Sequence, residues 1–156
     1  MARGGRIKNL YGPDGEKIAY YQVNATYYSA LGEDMDKMLM ARALQLFMPG
    51  TPQIWYLDLF GGTNDYQAAD ADQGNHKEIN RTNLTREVIQ EKLNTPLVLK
   101  QIELLNLRAQ HPAFNGTLSI SASSENHEFA MKWSDKHSWV LLEVNLDQTS
   151  FTISHS

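Results

Sequence analysis

The segment Gln53–Phe60 is a short and almost continuously apolar run, QIWYLDLF, between a proline and a pair of glycines. Such a run is typical of a strand that is buried on both faces of a parallel sheet. We therefore predict a buried strand at residues 54–59, with Trp55 and Tyr56 in the core. A parallel strand needs parallel neighbours, and the rest of the chain offers none. Either the chain pairs with a second copy here, or most of the sheet lies in sequence outside this chain, which is the more economical interpretation.

Helical spacing of apolar residues appears on both sides of this run. It predicts a helix over Glu33–Phe47, which acidic residues open and a Pro-Gly pair ends. Two further helices are predicted, a short one at Thr85–Leu93 and a longer one at Pro96–Gln110, for which Thr95 is a suitable N-cap. The apolar face of the longer helix consists of Val98, Ile102, Leu105 and Ala109.

Two other stretches are rich in turn residues and poor in apolar periodicity. Residues 1–17 are predicted to be loop-like, with turn chemistry at Gly12–Gly15. A long polar loop is predicted from Gly61 to about Asn83. Unstructured loops of about 20 residues are uncommon in compact domains and are usually functional. We expect Asn64 and Asp65 to fix this loop through side-chain to backbone hydrogen bonds.

After Gly116 the apolar period changes to two, which is the period of a strand with one buried face. Four candidate strands follow one another, separated by polar turns near residues 123–126, 134–136 and 145–147. Trp133 and Trp139 are expected to fill the core that they enclose. The tail is therefore predicted to be a small antiparallel sheet.

Charge and composition exclude several classes of function. The 14 basic and 18 acidic residues give a net charge of −4 and form no basic stripe, so we expect no nucleic-acid partner. No apolar run approaches the roughly 20 residues of a membrane span, so no membrane association is expected. The chain has no cysteine, and the histidines of its tail show no metal-ligand spacing. We predict a cytoplasmic protein without a metal site.

Four stretches of the chain match one family when they are taken together and in order: Tyr21–Leu31 (YQVNATYYSAL), Met40–Gly50 (MARALQLFMPG), Pro52–Leu57 (PQIWYL) running on to GTND, and His76–Asn83 (HKEINRTN). They resemble the C-terminal third of the sucrose phosphorylase-like glucoside phosphorylases of the α-amylase superfamily. The form of the last stretch is most similar to the branch that contains sucrose-6-phosphate phosphorylase and glucosylglycerate phosphorylase.

The resemblance implies an α/β fold of two parts. Residues 1–115 would be the C-terminal part of a catalytic (β/α)8 TIM barrel, with active-site loops, the eighth strand and the last helix pair. Residues 116–156 would be a small antiparallel β domain. About the first six barrel units would lie outside this chain. Loops after the strands form the active face of a TIM barrel, and the long loop from Gly61 leaves the eighth strand at that face.

The resemblance also implies an activity. Members of the family transfer a glucosyl unit from an α-glucoside to inorganic phosphate with retention, through an Asp nucleophile and a Glu acid. Those carboxylates follow upstream barrel strands and have no counterpart here, so we assign no catalytic residue. We expect the chain alone to be inactive, and we expect the glucoside and phosphate as ligands with no cofactor.

Binding residues are the part of the family's site that this chain retains. Arg81, in Ile79-Asn80-Arg81, matches the arginine that contacts the bound glucosyl unit; the alternative is a solvated loop arginine. Tyr21 and Gln22 match a mobile loop that exchanges contacts between the acceptor sugar and phosphate. For Tyr21 the alternative is a place in an aromatic packing cluster.

The acceptor side differs from sucrose phosphorylase itself. That enzyme reads Leu-Asp-Leu-Tyr-Gln at this loop, where the Asp holds the fructosyl moiety, whereas this chain reads Ile18-Ala19-Tyr20-Tyr21-Gln22. Loss of an acidic contact, with Lys17, His76 and Lys77 nearby, suits an anionic acceptor. His76 and Lys77 are therefore candidate anion contacts, and a solvated loop is the alternative.

Two other functions stay open at this point. One is a hydrolase or transglucosidase of the same superfamily. The other is a standalone carbohydrate-binding or interaction module that uses the β tail. A barrel remnant should self-associate or fold poorly on its own, whereas a self-sufficient module should be a folded monomer.

Overall fold

The computed structural model describes residues 4–71, 76–123 and 127–156. The chain forms two compact units, each built from two separate stretches. The first unit comprises Met1–Asp34 and Ile54–Val98, and the second comprises Met35–Gln53 and Leu99–Ser156. This division differs from a boundary at residue 115. The two predicted domains refer to a complete barrel and stay a prediction.

Strands, α-helices and short 3-10 helices follow one another along the described residues in this order: β1 (Arg6–Tyr11), β2 (Lys17–Asn24), α1 (Tyr27–Ala30), α2 (Met35–Phe47), α3 (Tyr56–Leu59), α4 (Tyr66–Ala71), a 3-10 turn (Lys77–Asn80), α5 (Arg86–Lys92), α6 (Pro96–Gln110), a second 3-10 turn (Pro112–Asn115), β3 (Thr117–Ser123), β4 (Glu128–Ser134), β5 (Trp139–Asn145) and β6 (Ser150–His155). Among the residues described, no helix combines the length and the apolar character that crossing a membrane requires.

The N-terminal segment is a hairpin, so the prediction of a loop at residues 1–17 is wrong. β1 and β2 pair in antiparallel register, with Arg6 opposite Asn24. A tight turn joins them, in which the Gly12 amide donates to the Glu16 carbonyl at 2.8 Å and Gly15 takes a left-handed φ of 78°. The register slips twice along the pair. These slips interrupt the alternation of apolar and polar residues, which is the signal that would have indicated strands.

The predicted strand at residues 54–59 is also wrong. Residues 51–55 belong to no strand, and Tyr56–Leu59 is the single helical turn α3. The reason is that the described residues provide no parallel strand beside it, since amides without a sheet partner must bond elsewhere. They bond along the chain instead, as in the Leu59 amide to the Trp55 carbonyl at 3.1 Å. Leu57 is buried, but Trp55 and Tyr56 are 49% and 36% exposed rather than part of a core.

The helix predictions hold better. α2, α5 and α6 lie within the predicted ranges, and Thr85 caps α5 by accepting from the Val88 amide. α2 begins two residues later than predicted because Glu33 has a left-handed φ of 59°. The long polar loop is not structureless, since it contains α4 and the first 3-10 turn.

The predicted apolar face of α6 needs correction at two positions. Ala109 is exposed, whereas Gln101, which was not assigned to that face, is completely buried. The reason lies in α2, where the buried Arg42 donates from Nε to Gln101 Oε1 at 2.8 Å. A buried guanidinium needs acceptors, so a polar residue occupies this part of the helix.

The second unit contains the predicted antiparallel sheet. Its four strands pair in sequence order, β3-β4-β5-β6, and all pairs are antiparallel. Side chains from one face of the sheet, from α2 and from the second 3-10 turn form one core: Ala43, Phe47, Ala113, Phe114, Met131, Trp133, Val140, Leu142 and Val144. The rings of Phe47 and Phe114 meet edge to face at 5.2 Å, and Trp133 donates from Nε1 to the Phe47 carbonyl at 2.7 Å.

Candidate functional site

Buried polar side chains tie the end of the hairpin to the chain that follows α3. The Thr26 amide donates to Asn64 Oδ1 at 2.7 Å, and the Tyr27 amide donates to Asp58 Oδ1 at 2.9 Å. In return, the Asn64 amide donates to Ser29 Oγ at 3.0 Å. Thr26, Ser29 and Asn64 are all buried, so these bonds are protected from competition with water. The network fixes where β2 ends relative to the start of the polar loop.

The polar loop is held by the side chains that were predicted to hold it. Asn64 Oδ1 accepts from the Thr26 amide, and Asp65 Oδ1 accepts from the Ala68 amide at 2.9 Å in the first turn of α4. The backbone roles predicted for Asn64 and Asp65 are therefore confirmed. The Asp65 amide also donates to the Ile79 carbonyl at 2.9 Å, which joins the beginning of the loop to the first 3-10 turn.

Three of the five predicted binding residues, His76, Lys77 and Arg81, lie in the first 3-10 turn or directly next to it. His76 precedes it with a left-handed φ of 55°, and Ile79 anchors it as a completely buried side chain. Asn80 Nδ2 donates to the Ala25 carbonyl at 3.2 Å, so the turn packs against the end of β2. This contact places the turn and β2, where the other two predicted residues lie, side by side in the first unit.

Arg81 lies directly after the turn with its guanidinium at the surface. Its Nη1 is 3.3 Å from Glu78 Oε1, and the two side chains are 50% and 46% exposed. An ion pair between such exposed groups contributes at most about 1 kcal/mol to stability. A ligand hydroxyl or anion can therefore replace the Glu78 carboxylate as the partner of Arg81 at little cost.

Tyr21 and Gln22 lie at the first slip in register between β1 and β2. Lys8 is opposite Gln22 and the next residue of β1 is opposite Tyr20, so Tyr21 is the extra residue of a β-bulge. Bulges change the direction of a side chain and are common beside active sites. Tyr21 is 61% exposed in this chain. Gln22 is half-buried and donates from Nε2 to Asn24 Oδ1.

The two candidate anion contacts differ in their surroundings. The His76 ring lies with Nδ1 at 3.1 Å from the Ala69 carbonyl oxygen, so this nitrogen carries the proton and donates. In the neutral ring Nε2 then carries no proton and can only accept, so a hydrogen bond from Nε2 to an anion requires a protonated ring. Lys77 is half-buried on the first 3-10 turn. Lys17, which was considered with them, lies over the ring of Tyr20, with its Nζ 3.4 Å from the centroid.

A surface cavity of about 510 Å³ is lined in part by Asn64. Polar side chains of Asn64, Asp65, Thr82 and Lys92 contribute to its lining, but none of the five predicted binding residues does. The predicted residues instead lie on β2 and in or next to the first 3-10 turn, two elements that contact each other. Their roles as binding residues stay predictions.

Sequence reasoning missed the part that Trp55 and Tyr56 play. Trp55 donates from Nε1 to the Asn80 carbonyl at 3.0 Å, and the Tyr56 hydroxyl donates to the Thr82 carbonyl at 2.7 Å. Both residues were interpreted as core because they stand in an apolar run. The available signal was chemical, since Trp and Tyr carry a donor at the end of an apolar ring and usually satisfy it.

Comparison with known proteins adds to this geometry. No family model matches the chain. Over 99% of its residues, however, the chain is 49% identical to a sucrose 6(F)-phosphate phosphorylase of Ilumatobacter coccineus, and covers 30% of that protein. The chain is thus sucrose phosphorylase-like over nearly its whole length. It is also 36% identical, over 97% of its residues, to a sucrose phosphorylase of Agrobacterium vitis, of which it covers 31%.

Among solved structures, the sucrose phosphorylase-like chain matches the crystal structure of a sucrose 6F-phosphate phosphorylase from Thermoanaerobacter thermosaccharolyticum. The TM-score is 0.88 at 33% identity, and the match covers 99% of this chain and 32% of the other. This chain therefore spans about a third of the length of the relatives that it matches. The fold class expected from the resemblance, a barrel portion followed by a small antiparallel sheet, is confirmed.

Proposed function

We propose that this chain is part of a retaining α-glucoside phosphorylase. The complete protein would transfer the glucosyl unit of sucrose, sucrose 6-phosphate or glucosylglycerate to inorganic phosphate and release glucose 1-phosphate. The observation that carries this proposal is the 49% identity, over nearly the whole chain, with a sucrose 6(F)-phosphate phosphorylase. The four stretches that carry the resemblance include all five predicted binding residues.

In this proposal the chain supplies binding groups and the rest of the protein supplies the chemistry. A carboxylate outside this chain attacks the anomeric carbon while a carboxylic acid protonates the departing oxygen. An oxygen of phosphate then displaces the first carboxylate, so that two inversions retain the configuration. Arg81 donates to the glucosyl unit throughout, because that unit is present in every state of the reaction.

The acceptor would be bound by the remaining residues. Tyr21 and Gln22 lie on the bulged strand β2, where the leaving sugar and the incoming phosphate occupy the same space in turn. His76 and Lys77 lie on the adjoining turn, where an anionic group on the leaving sugar is within the reach of a cation. Support for an anionic acceptor comes from this local supply of donors and from the absence of an acidic residue in Ile18–Gln22.

The test is the product that the complete protein forms. Sucrose, sucrose 6-phosphate and glucosylglycerate are each incubated with and without inorganic phosphate, and glucose 1-phosphate and free glucose are quantified. We expect phosphate-dependent glucose 1-phosphate in amounts equal to the released acceptor, with preference for an anionic one. Free glucose as the product, independent of phosphate, would instead identify the hydrolase alternative.

We also propose that the complete protein acts in the cytoplasm. This rests on the substrates, since phosphate and phosphorylated sugars are abundant there, and on the absence of cysteine from the chain. Cell fractionation followed by the same product assay tests it, and activity confined to a membrane or secreted fraction would refute it.

A further inference from the structure

Two neighbouring aromatic side chains hold the backbone on both sides of Arg81. The indole nitrogen of Trp55 donates to the carbonyl of Asn80 at 3.0 Å. The hydroxyl of Tyr56 donates to the carbonyl of Thr82 at 2.7 Å. Arg81 is the residue between these two carbonyls. The peptide groups before and after it are therefore tied to one short segment at the start of α3.

The aromatic pair is itself well anchored. The two rings contact each other with centroids 4.8 Å apart and planes tilted by 53°. The buried side chain of Leu57 and the helical hydrogen bonds of α3 fix the backbone that carries them. Each ring has two side-chain torsions, so holding it in one orientation costs little conformational entropy.

Packing within this chain leaves both rings partly exposed. Trp55 is 49% exposed and Tyr56 is 36% exposed. Both side chains place their polar atom, the indole nitrogen or the hydroxyl oxygen, against a backbone carbonyl. A hydrogen bond with a defined direction, rather than apolar packing, is the interaction that the arrangement provides.

Arg81 depends on its backbone for orientation. Between the first 3-10 turn and α5 the chain forms neither helix nor strand, so no regular ladder fixes residues 81–85. In the described part of the chain, the ion-pair partner of Arg81 is Glu78, another half-exposed side chain. Such a pair orients a guanidinium weakly. The peptide groups on either side of Arg81 therefore set the direction of its side chain.

We propose that Trp55 and Tyr56 are positioning residues that hold Arg81 in the orientation in which it binds the glucosyl unit. This inference rests on the proposed function, in which Arg81 contacts the part common to all donors. Loss of either hydrogen bond releases one side of Arg81 and lets its guanidinium sample other directions. The effect is the same for every donor, since the acceptor is not involved.

The first test is Tyr56→Phe in the complete protein, which keeps the ring and removes one O–H donor. We expect kcat/KM for phosphorolysis to fall roughly three- to tenfold, by the same factor for a charged and an uncharged acceptor. Trp55→Phe is a second variant with the same expectation. The matched control is Tyr11→Phe, which should leave kcat/KM unchanged. Tyr11 is the last residue of β1 and is 57% exposed.

A double-mutant cycle separates positioning from a general structural role. In the Arg81→Ala background, Tyr56→Phe should change kcat/KM by less than about twofold, because the group that it orients is gone. An equal loss in both backgrounds would mean that Tyr56 acts independently of Arg81, and the proposal would be wrong.

Hydrogen exchange gives a readout that does not depend on activity. The amides of residues 77–84 should exchange faster in Tyr56→Phe than in the unmodified protein or in Tyr11→Phe. Unchanged exchange would overturn the positioning role, even if the protein is an active phosphorylase. Faster exchange in a protein that forms no glucose 1-phosphate would instead support the role of these hydrogen bonds in fixing the backbone around Arg81, and would refute the proposed function.

Discussion

Arg42 and Gln101 form a buried polar pair in the second unit, with Nε of Arg42 donating to Oε1 of Gln101 at 2.8 Å. The two side chains are 1% and 0% exposed. Arg42 also donates from Nη1 to Gln45 Oε1 on the same helix. α2 and the part of α6 within the second unit are thus joined by a charged group that cannot exchange its protein acceptors for water.

Replacing Gln101 by leucine should therefore destabilise the second unit although leucine is more apolar. The substitution removes an acceptor from a buried guanidinium, at a cost of about 1.5 to 3 kcal/mol. Urea unfolding of the complete protein measures the free energy of unfolding. Gln110→Leu, at the exposed end of the same helix, is the control and should change it by less than about 0.5 kcal/mol. An unchanged free energy of unfolding in Gln101→Leu would show that the remaining contacts of Arg42 are sufficient to stabilise its guanidinium.

Arg81→Ala should damage phosphorolysis of every donor, whereas Lys77→Ala should act mainly on anionic ones. A charge-assisted hydrogen bond to the common glucosyl unit contributes roughly 1.5 to 3 kcal/mol, which corresponds to about one to two orders of magnitude in kcat/KM. A contact to a charged group on the acceptor has no role when the acceptor is neutral. The measurement is kcat/KM for each variant with one charged and one uncharged acceptor. An equal loss with both acceptors in Lys77→Ala would reduce Lys77 to a solvated or loop-ordering residue.

The 156-residue chain alone should not catalyse phosphorolysis of sucrose, sucrose 6-phosphate or glucosylglycerate. The resemblance places the family's Asp nucleophile and Glu acid upstream of this chain, and these two groups carry out the displacement steps. The assay is glucose 1-phosphate formation by the purified chain. A signal that disappears on mutation of a residue of this chain would contradict the prediction, whereas one that persists would come from a contaminant.

The isolated chain should also self-associate or fold poorly in its first unit. Its hairpin exposes apolar and aromatic side chains together, namely Leu10, Tyr11, Ile18, Tyr20, Tyr21 and Val23. Exposed apolar side chains in this number on one hairpin favour association. Light scattering gives the mass in solution, and hydrogen exchange gives the protection of β1 and β2. A sharp monomer peak with protected strand amides would argue decisively for a self-sufficient module.

The contact between His127, just before β4, and Asp147, just after β5, should stabilise the fold more at low pH than at high pH. His127 Nδ1 is 2.8 Å from Asp147 Oδ1, and this hydrogen bond and the negative charge raise the pKa of His127 above its ordinary value. A raised pKa means that the folded state binds the proton more tightly, so the contribution is complete below the unfolded pKa of about 6.5. It is lost as the pH rises through the folded value.

Thermal unfolding of the complete protein at pH 5.5 and at pH 8.5 measures this contribution. The Tm difference between the unmodified protein and His127→Gln should be larger at the lower pH, and Asp147→Asn should abolish the pH dependence of the difference. Because both groups are exposed, the shift should be small and should shrink further in high salt. A difference that grows towards pH 8.5 would have the wrong sign for this pair.

The sequence correctly predicted the elements whose apolar residues recur at a regular spacing. α5, α6 and the four-stranded sheet follow from apolar spacing, caps and turns, all of which lie within the element concerned. Thr85 illustrates this, since it caps α5 through a bond to a residue three positions later.

Elements that depend on distant partners were predicted less well. The run at Ile54–Leu59 has the composition of a central parallel strand, yet its backbone bonds locally because no strand within residues 4–71, 76–123 and 127–156 lies beside it. β1 and β2 were missed for the opposite reason, since pairing with each other stabilises them despite two breaks in alternation. In the same way, the polar contact of Gln101 could not be inferred without knowing that Arg42 lies beside it.

The candidate site was predicted through resemblance rather than through pattern. No property of Arg81 itself separates it from any other loop arginine, and the surrounding motif was the whole signal. The aromatic pair that holds its backbone had the opposite problem, since Trp55 and Tyr56 looked like core residues in the sequence. Their hydrogen bonds to carbonyls about 25 residues away became visible only with the fold.

The composition of the second unit limits how the β tail can be exchanged between proteins. The sheet's core includes Ala43 and Phe47 from α2, and Trp133 is bonded to the Phe47 carbonyl across 86 positions of sequence. A cassette cut at residue 116 would leave one face of the sheet without its apolar cover and Trp133 without its acceptor. Transplanting this sheet into another protein therefore requires a donor segment that begins upstream of α2, or a recipient helix that offers the same carbonyl.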